Sequence, residues 1–194
     1  MEGLRRILIV VGIPGVGKTT VITRTEEILL KFGSSASVVV FGTVMLNEAR
    51  KIGVDKRDEI RKLNIQQQQE LQNKASDHIR AIANEYIIVD THLFVRTPSG
   101  FLPGIPYNVV QNLGPTNLVL ITASPEEVHE RRAVDRTRDR DILSLDEIQR
   151  EIDLSMAMIS TISIISGAPF EIVSNSSGGI ESAANQIVNI LTRS

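Results

Sequence analysis

The chain contains no cysteine. Disulfides, thiolate zinc sites and cysteine nucleophiles are thereby excluded. It has no strong charge of either sign, since 21 Lys and Arg against 23 Asp and Glu leave a formal net charge of -2. So balanced a surface exerts no general pull on nucleic acid or anionic lipid, so neither is expected as a partner and any basic function must be local. No apolar run approaches the length needed to span a bilayer. The opening residues Met1-Glu2-Gly3-Leu4-Arg5-Arg6 mimic a signal peptide superficially. The apolar stretch behind them is too short, and it leads into a glycine-rich loop rather than a cleavage site. A cytoplasmic protein is the expectation. His78 and His129 lack metal-ligand spacing, and no repeat or linker divides the chain. Its 194 residues fit one domain with a substantial core.

What is present is Gly12-Ile13-Pro14-Gly15-Val16-Gly17-Lys18-Thr19-Thr20, set between the apolar run 7–11 and a helix-like stretch over 21–30. This is G-x-x-x-x-G-K-[ST] in the strand–loop–helix setting that a phosphate loop requires. Glycine takes backbone angles that side chains forbid and lets N–H groups approach phosphate oxygens. The N-terminus of the following helix adds partial positive charge at the same point. In this pattern Lys18 reaches the β- and γ-phosphates of a nucleoside triphosphate and the Thr19 hydroxyl holds Mg²⁺. An ordinary glycine-rich turn is the bland alternative, and the flanking patterns speak against it.

Residues 37–41 read as a second strand and 43–53 as a short helix closed by glycine. Residues 55–83 form a long polar helical region whose apolar positions recur mostly at three- and four-residue intervals, with the glutamines 66–69 as a solvated face. A buried-strand pattern over 86–90 ends in Asp90, and 91–106 is a loop rich in Pro and Gly. A short helix over 107–113 and a fourth strand over 117–122 follow. Ser124 caps a helix to about residue 135, and Ser144 caps a long helix to about 166. A fifth strand over 170–173 and a helix over 180–191 complete the chain. Strands alternating with helices mean βαβ units, a parallel sheet and helices on both faces. Ligands of such sheets bind beyond the carboxyl ends of the strands, so Gly12, residues 41–43, Asp90 and Thr122 face one crevice. Residues 156–165 are apolar on more than one helix face, which suits either a buried core helix or a partial subunit contact.

Asp90 ends an hhhhD run and would bind Mg²⁺ directly or through water, although strands also end in Asp as a turn residue. Thr91 stands where a water-activating carboxylate would suit a hydrolase, which leans toward group transfer. Arg131, Arg132, Arg136, Arg138 and Arg140 lie within ten residues. Guanidinium groups are planar donors for a transferring phosphoryl group, and a mobile lid would use them. The interleaved Asp135, Asp139 and Asp141 allow a salt-bridged surface instead. Arg57 and Arg61 share a helix face, and with Arg96 they could hold a second, smaller phosphate or form surface ion pairs. His92 follows the strand-end Asp and is a further candidate for contacting nucleotide. A guanine-reading N/T-K-x-D motif is missing: Asn73-Lys74-Ala75-Ser76 lacks the Asp and sits mid-helix. That absence weakens a nucleotide switch. A kinase for another nucleoside monophosphate or a small metabolite remains open, because no residue pattern here reads the acceptor.

The phosphate loop, Phe41-Gly42-Thr43-Val44-Met45, Arg57-Asp58-Glu59-Ile60-Arg61-Lys62-Leu63, Asp90-Thr91-His92, Arg96-Thr97-Pro98-Ser99-Gly100 and Thr137-Arg138-Asp139-Arg140 together resemble the archaeal-type adenylate kinases. The likeness runs from about Arg6 to the C-terminal helix. It implies an α/β three-layer P-loop NTPase fold in one domain, with a five-stranded parallel sheet flanked by helices. Residues 43–83 would be the AMP-side helical region and 136–143 a short arginine-rich lid. It further implies Mg-ATP plus AMP giving two ADP, a cytoplasmic setting and a homotrimer. By matching positions, the loop from Gly12 to Thr20 with Lys18 would hold ATP, and Thr43, Arg57, Arg61 and Arg96 would hold AMP; His92 is the further candidate on the AMP side, and Thr19 and Asp90 remain the candidates for Mg²⁺. Lys18, Arg131, Arg138 and Arg140 would clamp the transferring phosphoryl group. Replacing Lys18 or Arg138 by alanine is expected to lower turnover by several orders of magnitude and leave the fold intact.

Overall fold

The computed structural model describes residues 5–60, 62–97, 100–134 and 143–193. In chain order the first elements are β1 (Arg6–Val11), α1 (Lys18–Lys31), β2 (Ala36–Val40), α2 (Phe41–Arg50), α3 (Arg57–Ile60), α4 (Ile65–Arg80) and β3 (Tyr86–Asp90). They are followed by β4 (Phe94–Thr97), β5 (Gly100–Pro103), α5 (Tyr107–Leu113) and β6 (Asn117–Thr122). The last are α6 (Pro125–Val134), α7 (Leu145–Ser166), β7 (Phe170–Ser174) and α8 (Ile180–Thr192). Five of the strands form a sheet in the order β2-β3-β1-β6-β7, every neighbouring pair parallel. β4 and β5 form a separate antiparallel hairpin.

The central strand β1 shows why such a strand reads as an unbroken apolar run. Side chains alternate faces along a strand, and a parallel sheet is covered on both. Leu8 and Val10 pack with Val21 and Ile22 of α1 and Ala184 and Ile187 of α8. Ile7, Ile9 and Val11 pack with Ala75 and Ile79 of α4, Val109 and Leu113 of α5, and Ile159 and Ile162 of α7. α7 serves both layers, since its Ile148 and Ile152 belong to the first. The result is the three-layer α/β arrangement expected from the alternating pattern. No described helix is long and apolar enough to cross a membrane.

Three local readings need correction. The polar region 55–83 is two helices, α3 and α4, rather than one. Asn64 starts the second: its side chain accepts from Gln67 N at 2.8 Å, while its own N donates to Gln67 Oε1 at 3.2 Å. This reciprocal capping box satisfies amide groups that a continuous helix would not leave free. The loop 91–106 contains the β4–β5 hairpin, pinned by an edge-to-face contact of Phe94 and Phe101 with ring centroids 5.0 Å apart. The second strand stops at Val40, and Phe41, read as its last residue, opens α2.

Candidate active site

Parallel pairing in register brings the strand ends together. Val10 pairs with Asp90 and Asp90 with Val40, so the loop after β1, the carboxylate at the end of β3 and the first turn of α2 share one rim. Gly12 begins the loop so close to β6 that a Cβ there would lie 2.6 Å from the Ile121 carbonyl oxygen. Gly17 ends it in the left-handed conformation, φ 80°, which glycine alone adopts without strain. α1 starts at Lys18, so its free amide groups and positive helix end meet the loop. Thr19 and Thr20 are exposed on its first turn.

Lys18 is 8% and Asp90 6% exposed, and the ammonium forms an ion pair with Asp90 Oδ1. A buried pair of this kind carries a consequence for the substitution considered above. Lys18→Ala would leave Asp90 buried without its neutralising charge, so the fold would not be untouched. Next to it, Thr43 on α2 accepts a hydrogen bond of 2.8 Å from Arg57 Nη2. Two of the residues expected on the acceptor side thus meet beside the β2–β3 end of the rim.

Two arginines of α6 hold carbonyl groups of the loop. Arg131 donates through Nη1 to Val16 O at 3.4 Å and through Nη2 to Asn175 O at 2.9 Å, and it pairs with Glu127 at 3.4 Å. Arg132 donates through Nε to Pro14 O at 2.8 Å and through Nη2 to Glu151 at 3.0 Å. Arg96 on β4 lies 3.7 Å from the same Glu151 and 3.6 Å from Glu147, with its guanidinium 5.7 Å from the Phe101 ring centroid. Between the loop and the hairpin opens a cavity of about 210 Å³, lined by Gly12, Ile13, Pro14, His92, Leu93, Phe94, Val95, Arg96, Glu151 and Ser155. Glu151, only 6% exposed, therefore couples the α6 arginine that holds the loop to the arginine on the hairpin.

Hydrogen bonds favour the ionised form of two glutamates on the helices α6 and α7, Glu127 and Glu147. Glu127 sits below the ordinary carboxylate range, first through its bonds to Ser177, then through the Ser124 backbone and Arg131. Glu147 is likewise lowered, chiefly by the Ser144 backbone and hydroxyl that it caps, with a smaller pull from Arg96. Arg61, Arg138 and Arg140 lie outside the described residues, as do Arg136 and the expected lid apart from Leu143.

Asn175 and Glu151 escaped the reading of the sequence. Asn175 directly follows β7, so the rule that picked out Gly12, Asp90 and Thr122 at strand ends applies to it as well. Glu151 occupies the buried stripe Ile148, Glu151, Ile152, Ser155, Ile159, Ile162 of α7. A charge at a core position of a helix demands a partner, and that was its signal.

A family profile described as "AAA domain" matches residues 11–149. The adenylate kinase of Pyrococcus furiosus is 42% identical over 188 residues, covering 95% of this chain and 94% of that protein. The adenylate kinase of Methanocaldococcus jannaschii is 37% identical over 188 residues, covering 96% and 98%. Among solved structures, shikimate kinase from Acinetobacter baumannii in complex with shikimate superposes with a TM-score of 0.61 at 13% identity, covering 97% of this chain and 94% of that one. At so low an identity the superposition speaks for the fold alone.

Proposed function

The chain belongs to the archaeal-type adenylate kinase family, and on that premise we propose that it reversibly transfers the γ-phosphoryl group of Mg-ATP to AMP, giving two ADP. The observation that carries this reading is the rim itself: Lys18 and Asp90 at the phosphate loop, with Thr43 and Arg57 joined beside them. One end provides for a triphosphate and the neighbouring end for a second, smaller phosphate.

ATP lies with its phosphates on the amide groups of residues 12–20 and on Lys18, and AMP on Thr43, Arg57, Arg61, His92 and Arg96. An oxygen of the AMP phosphate attacks the γ-phosphorus in line; the bond from that phosphorus to the β–γ bridging oxygen breaks, and ADP leaves. A phosphate is nucleophilic enough near neutral pH, so no general base is required. Catalysis comes from positioning and from donors fixed in place before reaction. Lys18, Arg131, Arg138 and Arg140 spread the charge of the transferring group, and closure of 136–143 keeps water away.

Thr19 and Asp90 offer hard oxygen donors that suit Mg²⁺. Among the described residues no group of three or more His, Asp or Glu could hold a metal ion. Mg²⁺ is commonly held by one or two carboxylates together with substrate phosphates, so the ion would come largely with the nucleotide. When bound, it neutralises the β- and γ-phosphate oxygens. A homotrimer in the cytoplasm completes the proposal. Ile164 and Ile165 near the end of α7, 83% and 40% exposed, supply an apolar edge suited to a subunit contact.

The test mixes purified protein with Mg-ATP and, separately, AMP, CMP, UMP, GMP or no acceptor, and quantifies nucleotides by chromatography. ADP at about two per AMP consumed, with little turnover of the others, is the expected result. Preference for another monophosphate would move the acceptor assignment, and hydrolysis indifferent to any acceptor would remove the kinase reading.

A further inference from the structure

Asn175 joins β6, α6 and the phosphate loop. Its backbone N donates to Thr122 O of β6 at 2.8 Å, its backbone O accepts from Arg131 Nη2 at 2.9 Å, and its side-chain Nδ2 donates to Val16 O in the phosphate loop at 2.8 Å. The residue is 3% exposed. Its Oδ1 is buried with no hydrogen-bond partner among the described residues. An unmet buried acceptor is a liability for stability. An apolar side chain of similar size would fill the space without it, so what the amide adds is its one donated bond to the loop. The opposite amide orientation would set two oxygens against each other.

Described peptide bonds are all trans. In a trans peptide the C=O and the following N–H point opposite ways. Tying the Val16 carbonyl to Asn175, with Arg131 on the same oxygen, therefore turns the Gly17 N–H to the other side of the loop. Gly17 serves this arrangement twice, through its positive φ and because Asn175 Nδ2 occupies the space that a Cβ would need.

We propose that Asn175 is a positioning residue for the donor phosphates, holding the Val16–Gly17 peptide with its N–H turned toward them. The proposal rests on reading this loop as the Mg-ATP site. Before ATP arrives, these contacts help fix which way that peptide faces, and binding energy need not then be spent on turning it.

The experiment measures KM for Mg-ATP and for AMP, kcat and Tm for the wild type, Asn175→Ala and Asn175→Asp. Wild-type AMP-dependent turnover comes first; its absence would remove the underlying reading and not this one. Asn175→Ala is expected to raise KM for Mg-ATP roughly tenfold, the effect of one lost bond to a buried acceptor, with KM for AMP and kcat nearly unchanged. In Asn175→Asp the protonated carboxyl can donate to Val16 O and the ionised form cannot. The variant-to-wild-type ratio of KM for Mg-ATP should then climb with pH for Asn175→Asp and stay flat for Asn175→Ala. If Asn175→Ala does not fold, the isosteric Asn175→Asp carries the comparison. Unchanged KM for Mg-ATP with a lowered Tm, parallel rises for both nucleotides, or failure of both variants to fold would each make Asn175 a structural contact and overturn the proposal.

Discussion

At the scale of single residues, the buried pair Lys18–Asp90 makes function and stability inseparable. Each charge is tolerated because the other is there, and removing one partner of such a pair costs about 3–5 kcal/mol. Lys18→Ala should therefore lose both turnover and thermal stability in nucleotide-free protein. The double variant Lys18→Ala with Asp90→Ala should regain part of the Tm but none of the turnover. A thermal shift series decides this, and a single variant as stable as wild type would contradict the pairing. This pair also marks what a sequence discloses. The phosphate loop was legible because its glycines and lysine answer to local backbone geometry, and Asp90 because an apolar strand ends in it. Asn175 and Glu151 were harder, because their partners sit on other elements: Asn175 reaches Val16, 159 residues away in the chain, and Glu151 on α7 meets Arg132 of α6 and Arg96 of the hairpin.

At the scale of elements, ends and caps decide what the apolar period leaves open. The split of 55–83 rests on Asn64 and Gln67, and Asn64→Ala should lower unfolding free energy by about 1 kcal/mol, read from denaturant melts. An unchanged midpoint would show that packing of Leu71, Ala75 and Ile79 holds α4 without its cap. α6 carries a similar device at its start, where Ser124 and Glu127 exchange hydrogen bonds and Glu127 reaches Ser177. Glu127 is lowered from its ordinary 4.5, so its contribution is fully present above that pH and is lost as pH falls through the lower folded value. Tm should then decline in acid below about pH 4.5, and less steeply in Glu127→Gln; identical acid limbs would contradict the capping role. The β4–β5 hairpin was the element least legible beforehand. Prolines and glycines dominate its surroundings, and its order comes from Phe94 on Phe101 rather than from a long alternating pattern.

At the scale of the whole molecule, the parallel order β2-β3-β1-β6-β7 converts separate strand ends into one rim. Alternation of strands and helices was enough to anticipate a parallel sheet, though not its strand order, since parallel strands need crossovers and crossovers supply the covering layers. The same architecture leaves Ile164 exposed at the far part of α7. Sedimentation at micromolar concentration should give three times the chain mass of 21.4 kDa, and Ile164→Lys should shift it downward. A wild-type monomer would dispose of the subunit contact. The central claim is that a phosphoryl group passes from one nucleotide to another with water kept out. It is tested most directly with ATP labelled in its γ-phosphate, supplied with unlabelled AMP and Mg²⁺. Label in the β-position of ADP, formed in step with AMP consumed, is the expected result. Label released as inorganic phosphate, at a rate indifferent to AMP, would contradict it.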